Sequence, residues 1–199
     1  MKKILASLVL LVCALQMVFA QENSIALYKK TSAMIPMRDG IKLNTVILTP
    51  VDAKTKVPIL ILRTPYGAGF NIPDDTTVKT SMLAGYYNNM LADGYIMVLQ
   101  DIRGKYKSEG DMQIHQPLIH QVKKGAIDES TDTWDTVDWL VKNAANNNGK
   151  AGIFGISYPG WLALVGAVDP HLHSKRRQNK LAWPICFLAM IFITTAHFG

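Results

Sequence analysis

The residues with the clearest chemical potential surround Ser157. This serine stands in the hexapeptide Gly155–Gly160, which reads Gly-Ile-Ser-Tyr-Pro-Gly. The apolar run before it predicts a short buried strand, 150–154, and the run after it predicts a packed helix, 161–168. A serine on a sharp strand-to-helix turn is presented for nucleophilic attack, because the turn lifts its hydroxyl clear of the sheet. We therefore predict that Ser157 is a nucleophile.

The alternative interpretation of the hexapeptide is a Gly/Ser/Pro turn with no chemistry. The second glycine follows the serine by three positions, and Pro159 occupies the place where a glycine usually stands. Proline is tolerated in the first turn of a helix, where its missing N–H is not needed. The free N–H groups of that turn would face negative charge developing on a substrate oxygen. The flanking strand and helix favour the nucleophile.

The segments that must position Ser157 alternate between strand and helix. They are a hairpin at 35–48, strands at 57–62 and 95–100, and helices at 79–92 and 129–145. In the last helix we expect Ser130 as the cap and Trp134, Val137 and Val141 as the apolar stripe. Such alternation predicts an α/β fold with a mostly parallel sheet flanked by helices. Ser157 would then lie at the carboxyl end of a strand, where such sheets bind ligands.

Composition excludes several classes of function. The net charge of +6 comes entirely from Lys2, Lys3 and four basic residues within 175–180, and the stretch 21–171 has 15 basic and 15 acidic residues. This balance does not indicate a nucleic-acid surface. No dinucleotide fingerprint, Walker loop or paired-cysteine zinc site occurs in the sequence. We expect neither cofactor nor metal.

The first 20 residues resemble a secretory signal peptide. Lys2 and Lys3 precede an apolar stretch at 4–19, and Ala20 offers a cleavage point. The alternative is an uncleaved membrane anchor, but the stretch is short for a span of ~20 residues. We expect cleavage after Ala20, a secreted or periplasmic protein, and no stable membrane span. The mature chain would keep only Cys186, so no disulfide framework is expected.

Five blocks in order resemble the X-Pro dipeptidyl-peptidase family of serine hydrolases. The blocks are Met37–Gly40, Arg63–Gly67, Gln100–Gly104, Ser108–Gly110 and Gly155–Gly160. The stretch 128–139 is similar to the branch that contains cocaine esterase, α-amino-acid ester hydrolases and glutaryl-7-aminocephalosporanic acid acylases. The likeness runs from about residue 30 to residue 171. It implies an α/β-hydrolase fold, of which this chain would hold the N-terminal portion.

The resemblance also implies roles for individual residues. Ser157 would be the nucleophile, the backbone N–H of Tyr158 one oxyanion donor, and the phenol hydroxyl of Tyr66 the second donor. An ordinary aromatic in a Pro-Tyr-Gly turn is the alternative for Tyr66. Asp101 and Arg103 would form a structural charge pair, and His115 and His120 would be solvated loop residues.

A histidine base and an orienting carboxylate are harder to place. In α/β-hydrolases both follow the serine, and here Asp169 is the only acid that does. Twelve helical residues would put it roughly 18 Å from Ser157. His171, His173 and His197 are candidates by composition only. The chain would therefore be inactive by itself.

The tail differs from the rest of the chain. The likeness stops after His171, and an apolar run follows at 181–194. A helix or a short membrane segment is one interpretation. We favour another, in which residues 172–199 are translated out of frame. An alternative codon reading of 189–198 contains Asp-Phe-His-His-Asn-Gly, which resembles a block that the family carries after its serine helix.

Residues 21–171 are thus predicted to be the N-terminal part of a catalytic domain. The expected activity is hydrolysis of ester or amide bonds through an acyl-enzyme, of the dipeptidyl-peptidase, acylase or α-amino-acid ester hydrolase type. The expected partner is a small-molecule or peptide substrate. The alternative is a non-catalytic truncated product or a secreted binding protein.

Overall fold

An antiparallel hairpin begins the described part of the protein. The computed structural model describes residues 27–69, 73–80, 90–120 and 122–168, together with the backbone of 189–194. Strands β1 (Leu27–Pro36) and β2 (Lys42–Pro50) pair over their full lengths. Gly40, at φ 90°, takes the left-handed conformation that the connecting turn needs. The predicted hairpin is confirmed, and it is longer at both ends than the sequence indicated.

Three parallel strands form the middle of the sheet. They are β3 (Val57–Thr64), β5 (Ile96–Asp101) and β6 (Asn147–Gly155), with β3 between the other two. Each was predicted within two or three residues of its observed ends. All of β5 and the last six residues of β3 are buried, as expected for continuous apolar runs covered on both faces.

Antiparallel strands complete the sheet on both sides. Strand β4 (Thr77–Lys79) pairs with β1, and β7 (Ala189–Thr194) pairs with β6. The order is β4-β1-β2-β5-β3-β6-β7. The α/β class is confirmed, but the sheet is mixed and not mostly parallel: four of its six described pairings are antiparallel, and the two parallel ones join β3 to β5 and to β6. A helix had been predicted to start at residue 79, but residues 77–79 are strand and only 90–92 of that stretch are described as helical.

Two helices are described along their whole length. Helix α1 runs from Glu129 to Asn143 and helix α2 from Tyr158 to Gly166. The predicted cap Ser130 is wrong. Asp128 is the N-cap, because its carboxylate accepts the N–H groups of Ser130 and Thr131, and the Thr131 hydroxyl closes a capping box.

The buried face of α1 also differs from the predicted stripe. Val137 is buried, but Trp134 and Val141 are only half-buried. The buried positions beyond the first turn are instead Thr133, Thr136, Val137 and Leu140. Threonines take these places because they face polar groups of the sheet.

The apolar core lies in two layers, one on each face of the sheet. Alternate residues of a strand point to opposite faces, so Ile61 belongs to one layer and Leu60 and Leu62 to the other. The Ile61 layer includes Val137, Leu140 and Ala163, which places both helices on that face. The Leu60 layer contains Tyr28, Phe154 and Leu91.

The proposed signal peptide and most of the tail lie outside the described residues. Within the described ranges, no helix is both long enough and apolar enough to cross a membrane.

Candidate active site

Ser157 occupies a strained turn between β6 and α2. Its backbone has φ 59° and ψ −126°, a conformation that non-glycine residues seldom adopt. It is the N-cap of α2, yet its hydroxyl makes no capping hydrogen bond. The residue is exposed. The turn therefore holds the hydroxyl outward at a cost in strain, and such strain concentrates at functional sites.

The predicted oxyanion donor Tyr158 begins helix α2 directly after this turn. The first N–H groups of a helix have no acceptor within the helix, so the N–H of Tyr158 can bind an oxyanion. The first described hydrogen bond of this turn joins the N–H of Trp161 to the carbonyl of Ser157 at 3.1 Å. Pro159 stands in the first turn of α2, where its missing N–H is not needed.

Tyr66 lies at the same edge of the sheet as Ser157. Strands β3 and β6 are parallel neighbours, and Ile61 is paired with Ile153. Tyr66 follows the last residue of β3 by two positions, and Ser157 follows the last residue of β6 by two. The Tyr66 side chain is 62% exposed. The topology thus brings the predicted nucleophile and both predicted oxyanion donors to one edge.

An aromatic cluster packs beside the serine turn. The ring of His115 stacks on Tyr158, with centroids 4.8 Å apart, and lies edge-on to Trp161 at 4.9 Å. The backbone N–H of His115 also donates to the Tyr158 hydroxyl at 3.2 Å. His115 is exposed, but it is not merely a solvated loop residue. It fastens the loop after β5 to the start of α2.

His120 departs further from the prediction. Its Nδ1 lies 2.5 Å from the Asp128 carboxylate, and its side chain is only 14% exposed. Burial alone would raise the pKa of Asp128, but hydrogen bonds from His120 and from the Thr131 N–H outweigh it and lower that pKa. Asp128 thus caps α1 and holds the incoming loop. A histidine eight residues before a helix cap gave no sequence signal for this contact.

A buried ionic cluster, which sequence reasoning missed, joins β3 to α1. Arg63 is fully buried and donates to Gln100, to the Glu129 carbonyl and to the Thr133 hydroxyl, each at 2.9 Å. The Glu129 carboxylate lies 2.8 Å from Nη1 of Arg63. Because both hydrogens of that nitrogen are already donated to the carbonyl and the hydroxyl, the carboxylate forms an ion pair without an aligned hydrogen bond.

Burial raises the pKa of Glu129, although Arg63 opposes this effect. The second acid of the cluster is Asp132, which lies 3.8 Å from Nη2 of Arg63 and 2.7 Å from Nη2 of Arg103. The cluster lies near α2 as well, because a Cβ at Gly166 would come within 2.7 Å of the Thr133 hydroxyl. Arg63 therefore joins β3, the strand that leads to Tyr66, to α1, the helix against which α2 packs.

The predicted Asp101–Arg103 pair is wrong. Arg103 pairs instead with Asp39 and Asp132, at 2.7 Å each. Asp101 accepts hydrogen bonds from the Asn44 side chain and from the Ala68 N–H. The two residues brace different segments, because β5 ends at Asp101 and Arg103 lies in the turn that follows, where strand alternation no longer sets its direction.

The base and its carboxylate remain unplaced. Asp169, His171, His173 and His197 lie outside the described residues. In the ranges that the structure describes, no three His, Cys, Asp or Glu side chains are grouped to hold a metal ion.

The mixed sheet, the strained serine turn and the helix that starts there define the hydrolase class of α/β proteins. The family model described as X-Pro dipeptidyl-peptidase (S15 family) matches residues 39–176. The chain belongs to this hydrolase family.

Individual proteins of known sequence or structure are similar to this chain and support the family assignment. The chain is 35% identical over 141 residues to the cocaine esterase of Rhodococcus sp. (strain MB1 Bresler), covering 69% of this chain and 21% of that protein. A solved α-amino acid ester hydrolase is 42% identical with a TM-score of 0.64. An aminopeptidase from a marine sediment Thaumarchaeota archaeon is 41% identical with the same TM-score. Each of these structures matches 73% of this chain, which spans 24% of theirs.

Proposed function

We propose that Ser157 is the nucleophile of a serine hydrolase that cleaves ester or amide bonds through an acyl-enzyme. The observation that carries this proposal is the strained backbone of Ser157 between β6 and α2, with its side chain exposed and uncapped. Family membership supports the class of reaction. The names of the relatives indicate substrates in the range of esters, α-amino acid esters and peptides.

In the proposed reaction, Oγ of Ser157 attacks the substrate carbonyl carbon and its proton passes to a base. The oxygen that becomes negative accepts hydrogen bonds from the Tyr158 N–H and the Tyr66 hydroxyl. Collapse of the intermediate expels the alcohol or amine, which takes the proton. Water then attacks the acyl-enzyme, releases the acid and restores the serine.

We further propose that these 199 residues do not complete the machinery. A serine hydroxyl is a weak nucleophile without an adjacent base, and the candidate histidines that follow Ser157 lie outside the described residues. The chain spans about a fifth to a quarter of the length of the matched relatives. The base and its carboxylate would be supplied by sequence that corresponds to the rest of that length.

A fluorophosphonate probe tests the proposal, because it phosphonylates an activated serine. We expect weak labelling of the 199-residue chain and strong labelling of a product extended through the downstream DNA. Ser157→Ala should abolish labelling of the extended product, and Ser32→Ala, at an exposed serine of β1 that hydrogen bonds Asp74, is the matched control. Strong labelling of the short chain would refute its proposed inactivity. An unlabelled extended product would refute the nucleophile.

The second candidate is a non-catalytic truncated product or a secreted binding protein. What favours it is that the histidines that follow Ser157 in the chain, His171, His173 and His197, lie outside the described residues, so the described part supplies no base from that side. Labelling of the extended product distinguishes the hydrolase from the binding protein. A binding protein would leave Ser157 unlabelled in the extended product as well as in the 199-residue chain.

We also propose secretion or export to the periplasm, with cleavage after Ala20. The support is the charged start and apolar stretch of residues 2–20. N-terminal sequencing of the expressed protein should begin at Gln21. A mature protein that still begins at Met1 would contradict this proposal.

A further inference from the structure

The position of the Tyr66 hydroxyl must be set by the backbone that carries it. The ring is 62% exposed, so packing restrains it little. An oxyanion donor has to be held within about 0.5 Å of its productive position. If Tyr66 donates to an oxyanion, the restraint must come from the turn at residues 64–68.

The side chains of Thr64 and Asp101 accept hydrogen bonds from backbone N–H groups of this turn. The Tyr66 N–H donates to the Thr64 hydroxyl at 3.0 Å, which closes the near side of the turn. On the far side, the N–H of Ala68 donates to Oδ1 of Asp101 at 2.5 Å. Ala68 is 1% exposed, so its amide has no access to water as a substitute acceptor.

Asp101 is itself fixed in place. It is 1% exposed, and its Oδ2 accepts a hydrogen bond from the Asn44 side chain at 2.8 Å. Its carbonyl accepts the Ser108 hydroxyl at 2.7 Å, and that hydroxyl accepts the Asn44 N–H at 2.8 Å. The carboxylate is thus held by β2 and by the loop after β5, and it cannot follow a displaced turn.

The sheet places this anchor beside the strand end that it serves. Asp101 is the last residue of β5 and is paired with Thr64, the last residue of β3. The Ile102 N–H donates to the Thr64 carbonyl at 3.1 Å, which ties the two strand ends together. A carboxylate at this register reaches across to the Ala68 amide.

We propose that Asp101 is a positioning residue, which holds the turn at residues 64–68 so that the Tyr66 hydroxyl faces the oxyanion site. The inference rests on the proposed function, since it assigns Tyr66 as the donor that is positioned. Neither a charge pair with Arg103 nor contact with substrate is part of this role.

Three variants of the 199-residue chain test it. Asp101→Ala removes the acceptor of the Ala68 N–H. Asp101→Asn can restore the acceptor, because the Asn44 amide can rotate to present its oxygen to the new amide group. Asn147→Ala is the matched control, since it also loses side-chain hydrogen bonds to backbone, here to the Val141 and Ala144 carbonyls, but lies at the opposite end of the sheet from the turn.

Two measurements are made on each variant. Hydrogen exchange followed by peptide mass spectrometry reports the protection of residues 64–69. Slow phosphonylation of Ser157 under a large excess of fluorophosphonate reports the oxyanion site, which the phosphonyl oxygen occupies.

We expect Asp101→Ala to raise exchange in 64–69 and lower the phosphonylation rate, each by about 10-fold. Asn147→Ala and Asp101→Asn should keep the exchange and the phosphonylation rate of the unmodified chain. Unchanged exchange in Asp101→Ala would overturn the proposal. So would faster exchange with an unchanged phosphonylation rate, because Asp101 would then be purely structural. If the unmodified chain is not phosphonylated at all, that result counts against Ser157 as a nucleophile in this chain. The exchange measurement alone then decides whether Asp101 holds the turn.

Discussion

Gly155 and Pro159 approach each other so closely that no side chain fits between them. A Cβ at Gly155 would lie 2.3 Å from the carbonyl carbon and oxygen of Pro159 and 2.7 Å from the nitrogen of Gly160. The last residue of β6 thus touches the first turn of α2, with Ser157 at the apex. This contact makes the turn sharp and explains why glycine stands two positions before the serine.

Gly155→Ala should consequently destabilise the protein. The obstructing atoms are backbone, which cannot move aside without displacing α2, so we expect a loss of ~3 kcal/mol in the free energy of unfolding. Urea denaturation measures it. Gly69→Ala is the control, since a Cβ there meets nothing within 4 Å. Equal stabilities of the two variants would contradict the tight turn.

Tyr66→Phe separates the hydroxyl from the ring. Because the Tyr66 ring is exposed, stability should change by less than ~0.5 kcal/mol. Loss of an oxyanion donor should slow acylation of Ser157 in the extended product by roughly 100-fold or more. Tyr106→Phe is the matched control, because Tyr106 is 69% exposed and its ring packs over Gly67. If both variants react at the original rate, Tyr66 is an ordinary turn aromatic.

Arg63→Met tests the buried ionic cluster. The substitution leaves Glu129 and Asp132 without their buried partner, and breaking a buried pair in this way costs about 3 to 5 kcal/mol. The control is Arg38→Met. Arg38 pairs with Asp135 at 2.8 Å but is 41% exposed, so its loss should cost no more than about 1 kcal/mol. Urea denaturation measures both variants. If Arg63→Met and Arg38→Met lose the same free energy of unfolding, burial does not decide how much each ion pair contributes to stability.

The raised pKa of Glu129 predicts how stability depends on pH. A carboxyl whose folded pKa exceeds its unfolded value contributes stability that is present below the unfolded pKa of about 4.3. That contribution is lost as the pH rises through the folded pKa. Glu129→Gln removes this titration. The free energy of unfolding of the variant, relative to that of the unmodified protein, should therefore increase as the pH rises from 4 to 8. Urea midpoints at both pH values measure the difference. A constant difference would show that Glu129 titrates normally.

The hydrogen-bonded anchors could not be found from sequence. Asp101 and Arg103 are two positions apart, and their charges favoured a mutual pair. Their true partners are distant in sequence: Asn44 and Ala68 for one, Asp39 and Asp132 for the other. The Ser130 cap failed for a local reason, since Asp128 two residues earlier is the stronger acceptor and Thr131 completes its box.

The sequence by itself determined the alternation of strands and helices, the serine turn and the family. These features are encoded by neighbouring residues: apolar runs specify buried strands, and small residues permit a tight bend. Only the tertiary structure decided which side chains share the edge with Ser157 and what holds them there. The aromatic contact of His115 with Tyr158 and the burial of Arg63 against α1 join segments far apart in the chain. Such contacts depend on sheet order and register, which no local pattern specifies.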